Sequence, residues 1–139
     1  MIQTYGTQEQ RSSFLPIMAQ GEKRGSICLS EANAGSDVQA ISMTATREGD
    51  DYILDGSKLW VTNGVNGSIF AVLARTDTSA HPPYRGKGVF LVEKGTPGLN
   101  ASCIFEKLGY SARPFTAIRF TPKRRCWIRD FRAASRIVG

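Results

Sequence analysis

From Gly25 onward the apolar residues of this chain come in short runs, each closed by turn residues. That rhythm constrains the fold most, because short strands at close spacing build small barrels or sandwiches. Residues 26–30 form a short apolar run, and residues 31–37 (EANAGSD) are polar, small and loop-like. Residues 42–47 place Thr44 and Thr46 at alternate positions, and residues 48–51 (EGDD) form a turn. Strand signals follow at 52–54 and 58–62, separated by Asp55-Gly56, a strong two-residue hairpin signal. Asn63-Gly64 marks another turn. Residues 69–74 are nearly all apolar, which predicts a strand covered on both faces. A long loop is expected at 77–87, a strand at 88–93, a turn at 96–98, and last strands at 101–106 and 116–120.

Residues 1–22 follow a helical pattern instead. Thr7 and Gln10 fit a capping box, and Phe14, Leu15, Ile17, Met18 and Ala19 supply an apolar face. Pro16 conflicts with an uninterrupted helix and predicts a kink or a second short turn. Gly21 is a plausible stop. The fold expected is mainly β with a short N-terminal helix, and 139 residues leave room for one ordinary domain.

The net charge of +6 is unevenly placed. Residues 1–112 carry 10 Lys/Arg and 11 Asp/Glu, whereas residues 113–139 carry 8 Lys/Arg against Asp130 alone. A near-neutral body with a basic tail differs from a basic domain. No apolar run reaches the ~18–20 residues of a transmembrane helix, and residues 1–6 carry no secretory signal pattern. Cys28, Cys103 and Cys126 are too few and too unevenly spaced for a disulfide framework or zinc site, so reduced thiols and a cytoplasmic chain are expected.

Little of the chemistry-bearing inventory is specific by itself. The lone histidine, His81, precedes Pro82-Pro83 and reads as an exposed loop residue. No His/Cys/Asp cluster has metal-ligand spacing. Ser30, Gly35 and Ser36 lie in a loop whose hydroxyls and amides suit an anion, but such loops are also ordinary turn chemistry. Trp60 and Thr62, two apart on a strand, face one side, where they are either core and β-former or a wall for a flat heterocycle.

Together these segments say more. The run from Cys28 to Ala40 (CLSEANAGSDVQA) resembles the signature of the acyl-CoA dehydrogenase family. Residues 59–64 (LWVTNG) resemble that family's second flavin-contacting strand. Further similar stretches are Tyr5-Gly6-Thr7-Gln8-Glu9-Gln10 before Leu15-Pro16, Asp55-Gly56-Ser57-Lys58, Ala74-Arg75-Thr76-Asp77, residues 91–98 (LVEKGTPG), and Lys107-Leu108-Gly109-Tyr110. Their order and spacing agree from about Tyr5 to Tyr110.

The resemblance implies a flavoprotein fold in which residues 1–22 end an N-terminal helical domain and residues 23–120 form the middle β-domain. It implies FAD bound along Ile27, Cys28, Leu29, Ser30, Gly35 and Ser36, and along Trp60, Val61 and Thr62. Ser30 stands where threonine is more usual and keeps the hydroxyl. Ser36 would also meet the acyl-CoA substrate, and Ala32 stands where proline is common. Intact members desaturate acyl-CoA thioesters, pass a hydride to the flavin and hand electrons to an electron-transfer flavoprotein or similar acceptor. A homo-oligomer is the expectation for a full-length member. The catalytic glutamate of the family lies in a C-terminal bundle that has no matching segment here, so no catalytic residue is assigned and Glu31 is expected to be structural. Residues 121–139 depart from the family pattern as an atypical basic tail, from a shifted frame, a gene-fragment end or a fusion. The alternative reading is a non-catalytic binding or assembly module in which Lys123-Arg124-Arg125, with Trp127 and Phe131, contacts nucleic acid or another anion.

Overall fold

The computed structural model describes residues 1–109, 115–121 and 127–129. Two helices open the chain, α1 (Ile2–Tyr5) and α2 (Gln8–Ala19). The capping box forms as expected: the Gln10 amide donates to Thr7 Oγ1 at 3.2 Å and the Thr7 amide donates to Gln10 Oε1 at 2.8 Å. α2 runs on through Pro16 as one helix, without the second short turn that the sequence allowed there. Proline removes the hydrogen bond back to the Ser12 carbonyl, but Ser12 is exposed and water can satisfy that oxygen. The helix stops at Gly21, whose φ of +78° suits glycine. The Gly21 amide donates to the Met18 carbonyl and the Glu22 amide to the Ile17 carbonyl, the Schellman pattern. The buried face of α2 is narrower than expected: Phe14 is buried, Leu15, Ile17 and Met18 are half-buried, and Ala19 is exposed.

Among the described residues eight strands follow: β1 (Gly25–Cys28), β2 (Thr44–Glu48), β3 (Asp51–Thr62), β4 (Ile69–Arg75), β5 (Lys87–Glu93), β6 (Leu99–Ile104), β7 (Phe115–Phe120) and β8 (Trp127–Arg129). They form one sheet in the order β1-β4-β2-β3-β7-β6, with β5 added on β4 and β8 on β3. The mainly β fold, a curled sheet behind a short helical segment, is therefore the observed one. The β1–β4 pairing is parallel, from Gly25 opposite Ile69 to Cys28 opposite Val72, while β4–β5 and β2–β3 are antiparallel. Within the expected 77–87 loop, Pro83–Gly86 form a short 3-10 turn.

The expected hairpin turn at Asp55-Gly56 is absent. Residues 51–62 are one strand, and the β2–β3 hairpin turns instead at Gly49-Asp50. Gly56 has φ +142°, and a Cβ there would stand 2.8 Å from the Met43 side chain. Glycine is used here to bend a strand against a neighbour rather than to reverse it. On one side of Gly56 the strand pairs with β2 and β8, and from Gly56 onward it pairs with β7. One strand thus carries two parts of the sheet, which lets the sheet curl over its core.

That core gathers Cys28, Met43, Ala45, Leu54, Val61, Phe70, Val72, Ala74, Phe90, Val92, Ile118 and Phe120. Tyr52 packs its ring on Phe90 with centroids 5.0 Å apart. In β4, Phe70, Val72 and Ala74 enter this core. Ile69 and Ala71 line a cavity of about 410 Å³ with Met1, Leu15, Met18 and Ile27. The apolar run at 69–74 is thus covered on both faces, as its composition predicts.

Candidate functional site

Two of the segments singled out in the sequence meet where the chain leaving β1 reaches the second half of β3. The Leu59 amide donates to the Ser30 carbonyl at 2.9 Å, so Ser30 sits beside the residue that precedes Trp60. Glu31 and Ala34 then close a tight turn through reciprocal backbone hydrogen bonds of 2.8 and 3.3 Å. Gly35 and Ser36 follow in an exposed loop, and a Cβ at Gly35 would meet nothing within 4 Å. The segment therefore leaves open space for an approaching group, as a small-residue loop should.

Trp60 is placed by a bulge. Lys58 pairs with Ile118 and Val61 with Thr116, so β3 spends two residues, Leu59 and Trp60, where β7 spends one. Trp60 takes φ +58°, unusual for a bulky residue. The bulge turns its indole out of the core: Trp60 is 55% exposed while Val61 beside it is fully buried. The indole rests on Phe105, with centroids 4.8 Å apart and the rings tilted by 45°. Thr62 is half-buried and, like Trp60, flanks the inward-facing Val61. The core reading of Trp60 is thereby excluded.

Not every expected site residue shows its side chain. Cys28 and Val61 are fully buried in the core, so only their backbone can line a bound group. Burial pushes the Cys28 thiol up to about 12 against the opposing charge of Lys58, which makes it inert. Ile27 points to the other face of β1, into the cavity shared with the helices. Leu29 remains partly exposed.

Sequence reasoning missed Lys58. Its side chain is fully buried, and its ammonium donates to Glu31 Oε1 at 2.8 Å and to the Leu29 carbonyl at 2.9 Å. Glu31 also accepts from the Met43 amide, the Ser42 amide and the Ser42 hydroxyl. Burial alone would raise the Glu31 carboxyl, but the hydrogen bonds from Lys58, Ser42 and Met43 outweigh it and hold it below the usual range. Burial draws the Lys58 ammonium down, and Glu31 opposes that shift. The available signal was parity: Leu54, Gly56 and Lys58 alternate on the inward face, so a charge there needs a buried partner. Phe105 was also missed, because a strand end gives no hint of its aromatic neighbour.

His81 is exposed, as expected of its loop. Among the described residues no group of three or more His, Cys, Asp or Glu could hold a metal, and no helix is long and apolar enough to cross a membrane. Of the basic tail, Trp127–Arg129 pair antiparallel with β3 from Ile53 to Asp51. Lys123-Arg124-Arg125 and Phe131, on which the nucleic-acid reading rests, lie outside the described residues.

The comparisons with known proteins agree with one another. Residues 26–122 match the family model for the acyl-CoA dehydrogenase middle domain. A mitochondrial isobutyryl-CoA dehydrogenase of Dictyostelium discoideum is 42% identical over 120 residues, which cover 86% of this chain and 28% of that protein. The crystal structure of an acyl-CoA dehydrogenase from Geobacillus kaustophilus superposes with a TM-score of 0.89 at 36% identity, covering 95% of this chain and 34% of that one. A glutaryl-CoA dehydrogenase from Mycobacterium smegmatis, solved in complex with FADH2, superposes with a TM-score of 0.84 at 32% identity, over 96% of this chain and 32% of that one. The chain spans only about a quarter to a third of these relatives' length. With a matching domain model and a matching fold, the chain belongs to the acyl-CoA dehydrogenase family, through its middle domain.

Proposed function

We propose that this chain supplies the flavin-binding face of an FAD-dependent acyl-CoA dehydrogenase, and that the catalytic base is not among its residues. The observation that carries this reading is the bulge that turns Trp60 outward beside Ser30 and Thr62. An exposed apolar wall of Trp60 and Leu29, two hydroxyls, and a loop with open space at Gly35 fit a flat ring with a polar rim. Bound there, FAD would supply the hydride acceptor for α,β-desaturation of an acyl-CoA. Ser30 and Thr62 would hydrogen-bond the ring's polar edge, Trp60 would pack on it, and Gly35 and Ser36 would admit its polar groups and those of the acyl-CoA.

Glu31 is no candidate base, since both its oxygens are occupied by buried donors. Residues 1–22 would end a helical domain, 23–120 form the middle domain and 121–139 form an appendage. In a full-length protein the partners would be an electron-transfer flavoprotein or similar acceptor and further copies of the chain. The cytoplasm is the proposed compartment, and cell fractionation would check it against the mitochondrial address in the Dictyostelium relative's name.

The test is an FAD titration of the purified chain, read by flavin fluorescence and visible spectrum. Saturable binding, lost in Trp60→Ala, is expected. No binding, or equal binding by that variant, overturns the assigned face. An assay with acyl-CoA and an electron acceptor should show little or no turnover, and robust turnover would contradict the absence of a base.

A further inference from the structure

The charged pair under the loop has a geometry that reaches beyond holding the fold together. Lys58 bonds the Leu29 carbonyl and the Glu31 carboxylate, while its chain neighbour Leu59 bonds the Ser30 carbonyl. Three consecutive residues of the loop are thus tied to two consecutive residues of β3. The next residue on β3 is Trp60, whose backbone is held at φ +58°. Glu31 is fixed in turn from below by Ser42 and Met43, just before β2. The ammonium is shut off from solvent and the carboxylate nearly so, with side-chain exposures of 0% and 6%. Such a pair has discrete rather than sliding geometry, because any other arrangement would leave a buried charge unpaired.

We propose that Lys58 and Glu31 are positioning residues for the flavin: they set the register between the Ser30 segment and the Trp60 bulge, so that hydroxyl and indole meet one ring. This deepens the flavin reading above and rests on it. Neither residue touches the flavin in this proposal. They act through Leu29, Ser30 and Leu59, and removing them would let the two walls of the site shift apart.

The test compares the full chain with the double variant K58M/E31Q. That variant removes both charges, leaves no unpaired ion and keeps one acceptor oxygen, which can serve the Ser42 amide or the Met43 amide but not both as Glu31 does. FAD titration, flavin fluorescence at saturation and thermal melting are measured on both. The expected result is a Kd for FAD raised tenfold or more, with weaker quenching of the bound flavin. A folded variant that binds FAD within twofold of the parent, with the same bound spectrum, overturns the proposal. So does weaker binding that merely tracks lost stability while the bound spectrum stays unchanged, since that marks a purely structural role. If the double variant does not fold, E31Q alone is read by the same criteria. A parent chain that binds no FAD defeats the flavin reading itself, and the positioning role falls with it.

Discussion

Two ion pairs in this molecule have the same length and different consequences. Lys23 Nζ meets Glu93 Oε2 at 2.8 Å on the surface, with side-chain exposures of 37% and 54%. Lys58 Nζ meets Glu31 Oε1 at 2.8 Å under the loop, with exposures of 0% and 6%. Water competes for the first pair and screens it, so its loss costs little. The second has no water to fall back on, so each partner is the other's condition for being charged. Distance therefore says little about what a pair does; what surrounds it decides.

The comparison can be broken most forcefully by removing one buried partner. Lys58→Ala should cost about 3–5 kcal/mol, read by urea denaturation, because Glu31 stays buried without its cation. A cost below about 1 kcal/mol would mean that Ser42 and Met43 suffice. Acid should act next. The Glu31 carboxyl lies below its unfolded value, so its contribution is full above the unfolded pKa of about 4.3 and is lost as pH falls through the folded value. The melting temperature should drop over that acid range in the parent and drop less in Glu31→Gln. An equal drop in both would assign the acid sensitivity to other groups. Neutralising both partners in K58M/E31Q should stay within about 2 kcal/mol of the parent, far milder than the single removal, since no buried charge is stranded. Lys23→Ala should give the smallest effect, about 0.2–1 kcal/mol, and that difference should shrink further in high salt.

Much of the fold was readable because strands advertise themselves by short apolar runs between turn residues. The 69–74 run and the Thr7–Gln10 cap state their own environments locally. Asp55-Gly56 misled because the same dipeptide serves a reversal and a bend, and only Met43, brought up by β2, decides between them. Pro16 starts no second turn because the stranded Ser12 carbonyl can reach water. Ser30, Trp60 and Thr62 were proposed for the site through family resemblance, while the period-two geometry of Trp60 and Thr62 did not foresee a bulge. Strand parity marks Lys58 as inward-facing but does not name its partner, which lies 27 residues away in sequence. Long-range polar pairing leaves no periodic trace.

The backbone of Trp60 has one more consequence. At φ +58° a tryptophan is held where glycine or asparagine would rest more comfortably, at a strain of about 1–3 kcal/mol. A library of this chain sorted for folding alone should therefore drift at position 60 toward those smaller residues, while a library sorted for flavin capture should keep the indole. The residue at this one position would then record which of the two demands a lineage has been under.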